Sequence, residues 1–458
     1  MKIFRSLLSF VLVLNKSARI GLLCYIGAQN QARSVIFLSF LLAPFSTIYH
    51  LRSRHTKNLA AKIEKLGPVF IKFGQSMSSR PDIIGKELAM SLRSLQDNLK
   101  PFSTRKAKEI ITQELGRPIN QLFKNFTDEP IASASISQVH KAELHDGSVV
   151  AVKILRPDVE LKYIEDIKTI KALAILAKRL IRKFKNIKLL DIVSVFEKTM
   201  KSELNFQNEA ASCSALYDNF VDDDSVLMPK IFWDYSTRKV LVLEWLEGIS
   251  IYDIEGLKAN GIDEKDVLRK LATSFFNQSF RDGFFHADLH PGNIFITKDG
   301  RVAFLDFGIV SYLSERDRLA MAEILYCLIK RDYYRVAEIH MDIGFIPEYT
   351  NLHEFAIACR VVGEPIVNQS AHIISIGHLL ENLYKMTSEF GMQTQPQLIM
   401  LQKTIIVLEG IGKILAPSEN MWQLAEPWIK KWATQNLGFD AKIIRAIKNF
   451  ATRLSSHT

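Results

Sequence analysis

At 458 residues, 48% hydrophobic and 24% charged, the chain has ordinary globular composition and enough apolar side chain for one large two-lobed domain or two smaller ones. Four cysteines (Cys24, Cys213, Cys327, Cys359) stand far apart with no CxxC pair, which argues against a disulfide framework or structural zinc and fits a reducing compartment. The net charge of +10 is concentrated at the ends: residues 1–63 carry nine Lys/Arg and no Asp or Glu, residues 430–458 carry six against Asp440 alone, and the segment between is left at about −4. A nucleic-acid binder spreads its positive charge over the folded body, so that class is set aside.

Taken in chain order, residues 1–57 form a basic, apolar segment. SLLSFVLVL (6–14) follows Lys2 and Arg5 like a signal-peptide core, but no small-x-small cleavage site follows it. SVIFLSFLLAPFSTIYHL (34–51) is uncharged and bracketed by Arg33 and Arg52; Pro44 and its hydroxyl residues weaken it as a membrane span. Peripheral membrane association is expected over spanning. The acid-free, Arg- and Ser-containing start also has the texture of an organellar transit peptide, so mitochondrial targeting stays open.

Residues 58–128 carry apolar side chains at helical spacing, broken at Gly67-Pro68 and at Arg80-Pro81-Asp82. Over 129–247 the texture turns β-rich. IASASISQVHKAEL and SVVAVKIL read as strands joined through HDG, and KVLVLEWLEG reads as a further buried strand; 158–218 between them is helical. Residues 248–440 are mostly helical apart from short strands within 286–308. In the tail, 441–458, Ile444, Ile447, Ala451 and Leu454 alternate with Lys442, Arg445, Lys448 and Arg453. That pattern suits a basic amphipathic helix on an anionic membrane, or equally a helix docked on the body with a solvated charged face.

The chemistry is concentrated in HADLHPGNIF and VAFLDFG. Asp288 is followed by Asn293 five residues on and by Asp306 eighteen residues on. Phosphoryl transfer needs an oxygen acceptor for the nucleophile's proton and separate metal ligands near one nucleotide. Asp288 suits the first role, and Asn293 with Asp306 suits the second, for Mg²⁺. The run resembles the protein-kinase catalytic loop followed by D-F-G. Lys153, in the apolar strand VVAVKIL, needs a partner if buried and suits the nucleotide's phosphates. Glu203 and Glu209 are six apart, so a simple helix offers at most one of them to Lys153, and Glu209 is favoured. Ala132-Ser133-Ala134-Ser135-Ile136-Ser137 occupies the place of a glycine-rich phosphate loop, with Cβ atoms that stiffen it and hydroxyls that can donate. Glu244 and Leu246 in EWLEG take the place where a kinase hinge presents backbone groups to adenine. His286, Asp288 and His290 could suggest a metal trio, but no fourth ligand stands nearby.

These residues resemble the UbiB family of atypical protein-kinase-like proteins of ubiquinone (coenzyme Q) biosynthesis, over roughly 60–440 and closest to its bacterial branch. Lys72-Phe73-Gly74-Gln75, set in LGPVFIKFGQSMSSRPD, fits the K-x-G-Q signature. ASASISQVH fits the alanine-rich loop, VAVK the nucleotide lysine, HADLHPGNIF the catalytic loop and KTIIVLEGIGKILAP the C-terminal region. The resemblance implies an α+β, bilobal protein-kinase-like fold with an N-terminal helical extension over the active site. Lys72, Gln75 and Glu203 would guard or regulate it. It implies ATP and Mg²⁺ as cofactors, and ATPase or small-molecule kinase activity supporting ubiquinone biosynthesis. The expected location is the inner (cytoplasmic) membrane with the core facing the cytoplasm; the expected partners are an anionic membrane surface, polyprenyl-phenol quinone precursors and quinone-biosynthesis enzymes, with no nucleic acid. The family's E-x-D reads Glu203-Leu204-Asn205 here, an amide that can ligate through oxygen but brings no charge. Bacterial relatives end in membrane-spanning helices, whereas this sequence stops after the basic tail, so attachment is expected through its ends or partners. A nucleotide-sensing scaffold for lipid-modifying enzymes is the alternative; a hydroxylase finds no flavin fingerprint.

Overall fold

Strand alternation and glycine placement account for much of the architecture, which is taken from a computed structural model. It describes residues 2–19, 23, 33–47, 59–78, 84, 86–92, 95, 100–184, 187–368, 386, 389–391, 396–419 and 421–437. The predicted tail helix over 441–458, residues 48–51 of the uncharged run and the Arg80-Pro81-Asp82 break lie outside these. The chain falls into two units, Met1–Ala210 with Ile231–Trp245, and Ala211–Lys230 with Leu246–Thr458.

The first unit opens with α1 (Lys2–Arg19) and α2 (Arg33–Leu42). Leu14, Ala18 and Val35 are buried together with Ile181 and Phe184, while Leu12, Phe37, Leu41 and Phe45 stand exposed. Among the described residues no helix is long and apolar enough to cross a membrane; the uncharged run breaks at Ala43, ahead of Pro44.

Helices α3 (Leu59–Glu64), α4 (Pro68–Ser78) and α5 (Lys86–Leu92) follow and bury Ala60, Ile71, Met77 and Leu92. Pro68 is the first residue of α4, where its missing N–H is not needed, and Gly67 before it has φ +125°. Next come α6 (Thr104–Leu115) and α7 (Ile119–Leu122). The sheet is built from β1 (Asn125–Phe126), β2 (Ala132–Ser133), β3 (Ser137–Glu143), β4 (Val149–Leu155) and, later, β6 (Val240–Glu244). It is antiparallel, in the order β1-β3-β4-β6 with β2 on β3. Strand β1 lies inside the stretch read as helical, since two residues give too little alternation to read. In β4, Val150, Val152 and Ile154 point to one face and pack with Ala107, Ile110 and Ile111 of α6. Lys153 therefore points to the other face, opposite Val139 on one side and Leu241 on the other. Then come α8 (Val159–Leu180), α9 (Leu189–Glu203) and α10 (Phe206–Phe220).

In the second unit, β5 (Val226–Leu227), β7 (Ile249–Ser250), β9 (Ile294–Ile296) and β10 (Val302–Phe304) form a sheet in the order β5-β10-β9-β7. Separately, β8 (Phe284–His286) pairs with β11 (Val310–Tyr312). The helices are α11 (Ile254–Ala259), α12 (Glu264–Phe276), α13 (Glu315–Ile329), α14 (Tyr333–Asp342), α15 (Leu352–Asn368), α16 (Pro396–Leu415) and α17 (Met421–Leu437). Helix α12 widens into a π-helical turn, Asn277–Asp282, closed by Gly283 at φ +70°. A side chain there would bring its Cβ to 2.8 Å from the Leu313 carbonyl oxygen, so glycine is required twice over.

Candidate active site

Two strand pairs fix the HADLHPGNIF–LDFG run. His286 ends β8 and pairs with Val310 of β11, and the Ala287 N–H donates to the Ile309 carbonyl at 3.0 Å. Ile294 opens β9 and pairs with Phe304 at the end of β10, and the Leu305 N–H donates to the Asn293 carbonyl at 3.0 Å. Asp288 thus follows one clamp, while Asn293 and Asp306 flank the other. Asn293 Nδ2 reaches the Asp288 carbonyl at 3.4 Å, and Asp306 Oδ1 accepts from the Gly308 N–H at 3.0 Å.

His286 is the buried organiser of this loop. Its Nδ1 accepts the Asp288 N–H at 3.1 Å, so that nitrogen carries no proton; Nε2 is then the donor, and it meets the Asp306 carbonyl. Burial pushes its pKa down, against the pull of Asp306 and Asp288, in keeping with a neutral ring. The Gln278 side chain, from the π-helical turn, accepts the His286 N–H at 2.9 Å. With both ring nitrogens engaged, and His290 exposed with Nδ1 accepting from the Gly292 N–H, the two histidines do not present a ligand pair. A carboxylate and a carboxamide, Asp306 and Asn293, are the hard oxygen donors that Mg²⁺ takes, so the residues fit that ion.

In the first unit Lys153 Nζ contacts both oxygens of Glu209, at 2.8 and 2.9 Å, and lies 5.4 Å from the centre of the Phe206 ring. Of the two acids, Glu209 therefore meets Lys153, while Glu203 meets Lys72 at 3.5 Å. The reason is a helix break: α9 ends at Glu203 and α10 begins at Phe206, so the two acids do not share one helix. Asn205 sits in the break, and its Oδ1 accepts from the Gln207 N–H at 3.1 Å, the bond of an N-cap. An amide performs that task as well as the carboxylate of E-x-D.

The lysine, glycine and glutamine of K-x-G-Q each have a structural reason. Lys72 pairs with Glu203, Gln75 donates to the Leu95 carbonyl at 3.2 Å, and a Cβ on Gly74 would stand 2.4 Å from Leu95 Cδ1. In the alanine-rich stretch, Ala132 and Ser133 form β2, Ser135 and Ile136 are buried, and Ser137 opens β3. Arg156 clamps the turn: Nε donates to the Ala134 carbonyl at 2.9 Å, Nη2 to Ser133 Oγ at 2.7 Å and Nη1 to the Lys100 carbonyl at 3.1 Å. Ser135 Oγ is buried with no hydrogen-bond partner among the described residues, an orphan that suits a phosphate-binding loop. Glu244 ends β6, the Trp245 N–H donates to the Val149 carbonyl at 3.0 Å, and Leu246 opens the longer segment of the second unit.

Two residues were not anticipated from the sequence. Arg156, three positions after Lys153, is one. The other is Lys403 of α16, whose Nζ lies 2.8 Å from Asp288 Oδ1 across 115 positions of sequence. A lysine standing ahead of the apolar run TIIVL was the available signal.

A family model described as the ABC1 atypical kinase-like domain matches residues 94–340, and one described as the UbiB helical domain matches 359–420. "Probable protein kinase UbiB" of Marinobacter nauticus is 38% identical over 414 residues, covering 90% of this chain and 76% of that protein. The protein of the same description from Photobacterium profundum is 40% identical over 415 residues, covering 88% and 76%. Among solved structures, the complex of Rv3197 with erythromycin from Mycobacterium tuberculosis matches 84% of this chain and 98% of its own with TM-score 0.52 and 23% identity, a likeness of fold. The chain belongs to the UbiB family of ABC1-type atypical kinase-like proteins.

Proposed function

We propose that this protein is an ATP-binding, Mg²⁺-dependent kinase-like phosphotransferase or ATPase that supports ubiquinone biosynthesis at an anionic membrane surface. The observation that carries the reading is the pair of strand clamps that hold Asp288, Asn293 and Asp306 on one buried histidine-centred scaffold. In this reading Asp288 accepts the proton of the attacking hydroxyl or water. Asn293 and Asp306 would hold Mg²⁺, which offsets phosphate charge when bound. Lys153, kept oriented by Glu209, meets the nucleotide's phosphates, and the Ala132–Ser137 turn stiffened by Arg156 lines them. Neutral His286 holds the loop backbone without adding charge. Membrane attachment draws support from the acid-free, basic N-terminal segment and its exposed Phe37, Leu41 and Phe45.

The test is ATP turnover by the purified protein, with and without anionic liposomes carrying a polyprenyl-phenol. Wild type should turn over ATP with Mg²⁺, and Asp306→Asn should lose at least about a hundredfold. Turnover that survives Asp306→Asn unchanged refutes the assignment, and rates indifferent to liposomes and lipid refute the membrane-coupled part. Complementation of a quinone-deficient strain by Asp288→Asn would favour the scaffold reading instead.

A further inference from the structure

The catalytic loop lacks a permanent positive charge of its own. Between Asp288 and Asn293 stand Leu289, His290, Pro291 and Gly292, and the His290 ring is turned back onto the Gly292 N–H. Phosphoryl transfer nevertheless brings a polyanion to the side of a carboxylate, a repulsion that must be offset. The nearby cation comes from elsewhere: Lys403 Nζ on Asp288 Oδ1 at 2.8 Å.

That lysine is held by a well-seated helix. Leu401, Thr404, Ile405, Leu408 and Ile411 of α16 are buried, and a Cβ on Gly412 would lie 3.4 Å from both Leu268 methyls of α12. Lys403 leaves the flank of this buried stripe. The pair is 38% and 36% exposed, so it stabilises the fold little. Burial is the main cause of the lowered His286 pKa, and the Lys403 charge adds to it. Accessible to solvent and joined to the proton acceptor, it is placed for chemistry more than for stability.

We infer that Lys403, supplied by the UbiB helical domain, is the positioning cation of the Asp288 carboxylate: it orients that group and neutralises it when a γ-phosphate is present. The inference rests on the ATP-dependent reading above. The helical domain thereby contributes a charge to the kinase-like domain's chemistry. It makes a specific demand, that loss of Lys403 leaves Asp288 uncompensated and disfavours ATP more than ADP.

The experiment measures Mg-ATP and Mg-ADP affinity with fluorescent nucleotide analogues, and kcat and KM for ATP, in wild type, Lys403→Met, Lys403→Arg, Asp288→Asn and the Lys403→Met/Asp288→Asn double variant; thermal melts verify folding. Lys403→Met should weaken ATP relative to ADP by about tenfold and lower kcat by about tenfold or more. Lys403→Arg should restore most of the ATP preference. In the Asp288→Asn background Lys403→Met should no longer change the ATP/ADP ratio, because the charge it offset is gone. An unchanged ratio and kcat in Lys403→Met, or an Arg variant as impaired as the Met variant, overturns the inference. Wild type that neither binds nor turns over Mg-ATP overturns the underlying reading instead, so the two failures are told apart.

Discussion

Replacing Glu209 by Gln isolates the Lys153 pair with little change of volume. Lys153 and Glu209 side chains are 15% and 7% exposed, and both carboxylate oxygens lie within 2.9 Å of Nζ. Breaking a fully buried pair costs about 3–5 kcal/mol because a charge is left uncompensated. Residual exposure of Lys153 and the Phe206 ring beneath it, worth about 1 kcal/mol, lower that figure. A loss of about 2–3 kcal/mol is therefore expected for Glu209→Gln. Lys153→Met should cost a similar amount, leaving the carboxylate without its lysine, while Lys153→Met/Glu209→Leu should recover part of the combined loss. Urea denaturation followed by tryptophan fluorescence reads all three. Mg-ATP affinity of Glu209→Gln should fall about tenfold, since the lysine loses its orienting partner. Strict additivity of the two single losses, or a Glu209→Gln loss under about 0.5 kcal/mol, would show that the contact is not a coupled buried pair.

Gly74→Ala normally gains about 1 kcal/mol in a helix interior, but here the 2.4 Å approach to Leu95 Cδ1 adds an overpacking cost of about 1–3 kcal/mol, so melting temperature should drop; a rise sinks the packing account. Arg156→Met strands the Ala134 and Lys100 carbonyls; stability should fall by about 1–3 kcal/mol, and amides of 132–137 should exchange faster with solvent deuterium. Burial lowers the His340 pKa from 6.5 to about 4, so the unfolded chain binds a proton that the folded chain refuses; stability is whole above pH 6.5 and falls with pH by about 2 kcal/mol by pH 5. His286 and His140 shift in the same direction, also from burial, and add to the slope. Urea midpoints at pH 7.5 and pH 5 check this, and His340→Leu should flatten the profile; an equal slope in that variant refutes the attribution.

What could be read in advance was local. VVAVKIL reads as an apolar strand whose lysine needs a partner, and the spacing of HADLHPGN and LDFG carries a reaction class because short β-strands separate the two clusters. Helix geometry offers at most one of Glu203 and Glu209 to Lys153, with Glu209 favoured, but it does not reveal the helix break between them. The missing parts are long-range. Arg156 looks like any strand-end arginine until β2 and β3 bring the Ala132–Ser137 turn beside it. Leu95 gives no sign of being the partner of both Gly74 and Gln75, because its role is made of a carbonyl and a methyl group. Lys403 lies 115 positions from Asp288, and no periodicity spans that distance.

The α9–α10 junction joins features that the sequence offers separately. In one continuous helix, residues six apart point about 120° from each other, and Glu203 and Glu209 could hardly serve two lysines from neighbouring elements. Ending α9 at Glu203 and restarting α10 under the Asn205 cap frees their directions, so Glu203 reaches Lys72 of α4 while Glu209 reaches Lys153 of β4. Glu209 also lies in the first turn of α10, where the helix dipole favours a carboxylate. The K-x-G-Q helix and Lys153 are consequently tied to opposite sides of a single two-residue break. The last residue of α9 carries the carboxylate that meets Lys72 and the first turn of α10 the one that meets Lys153, so both pairs depend on where that break falls.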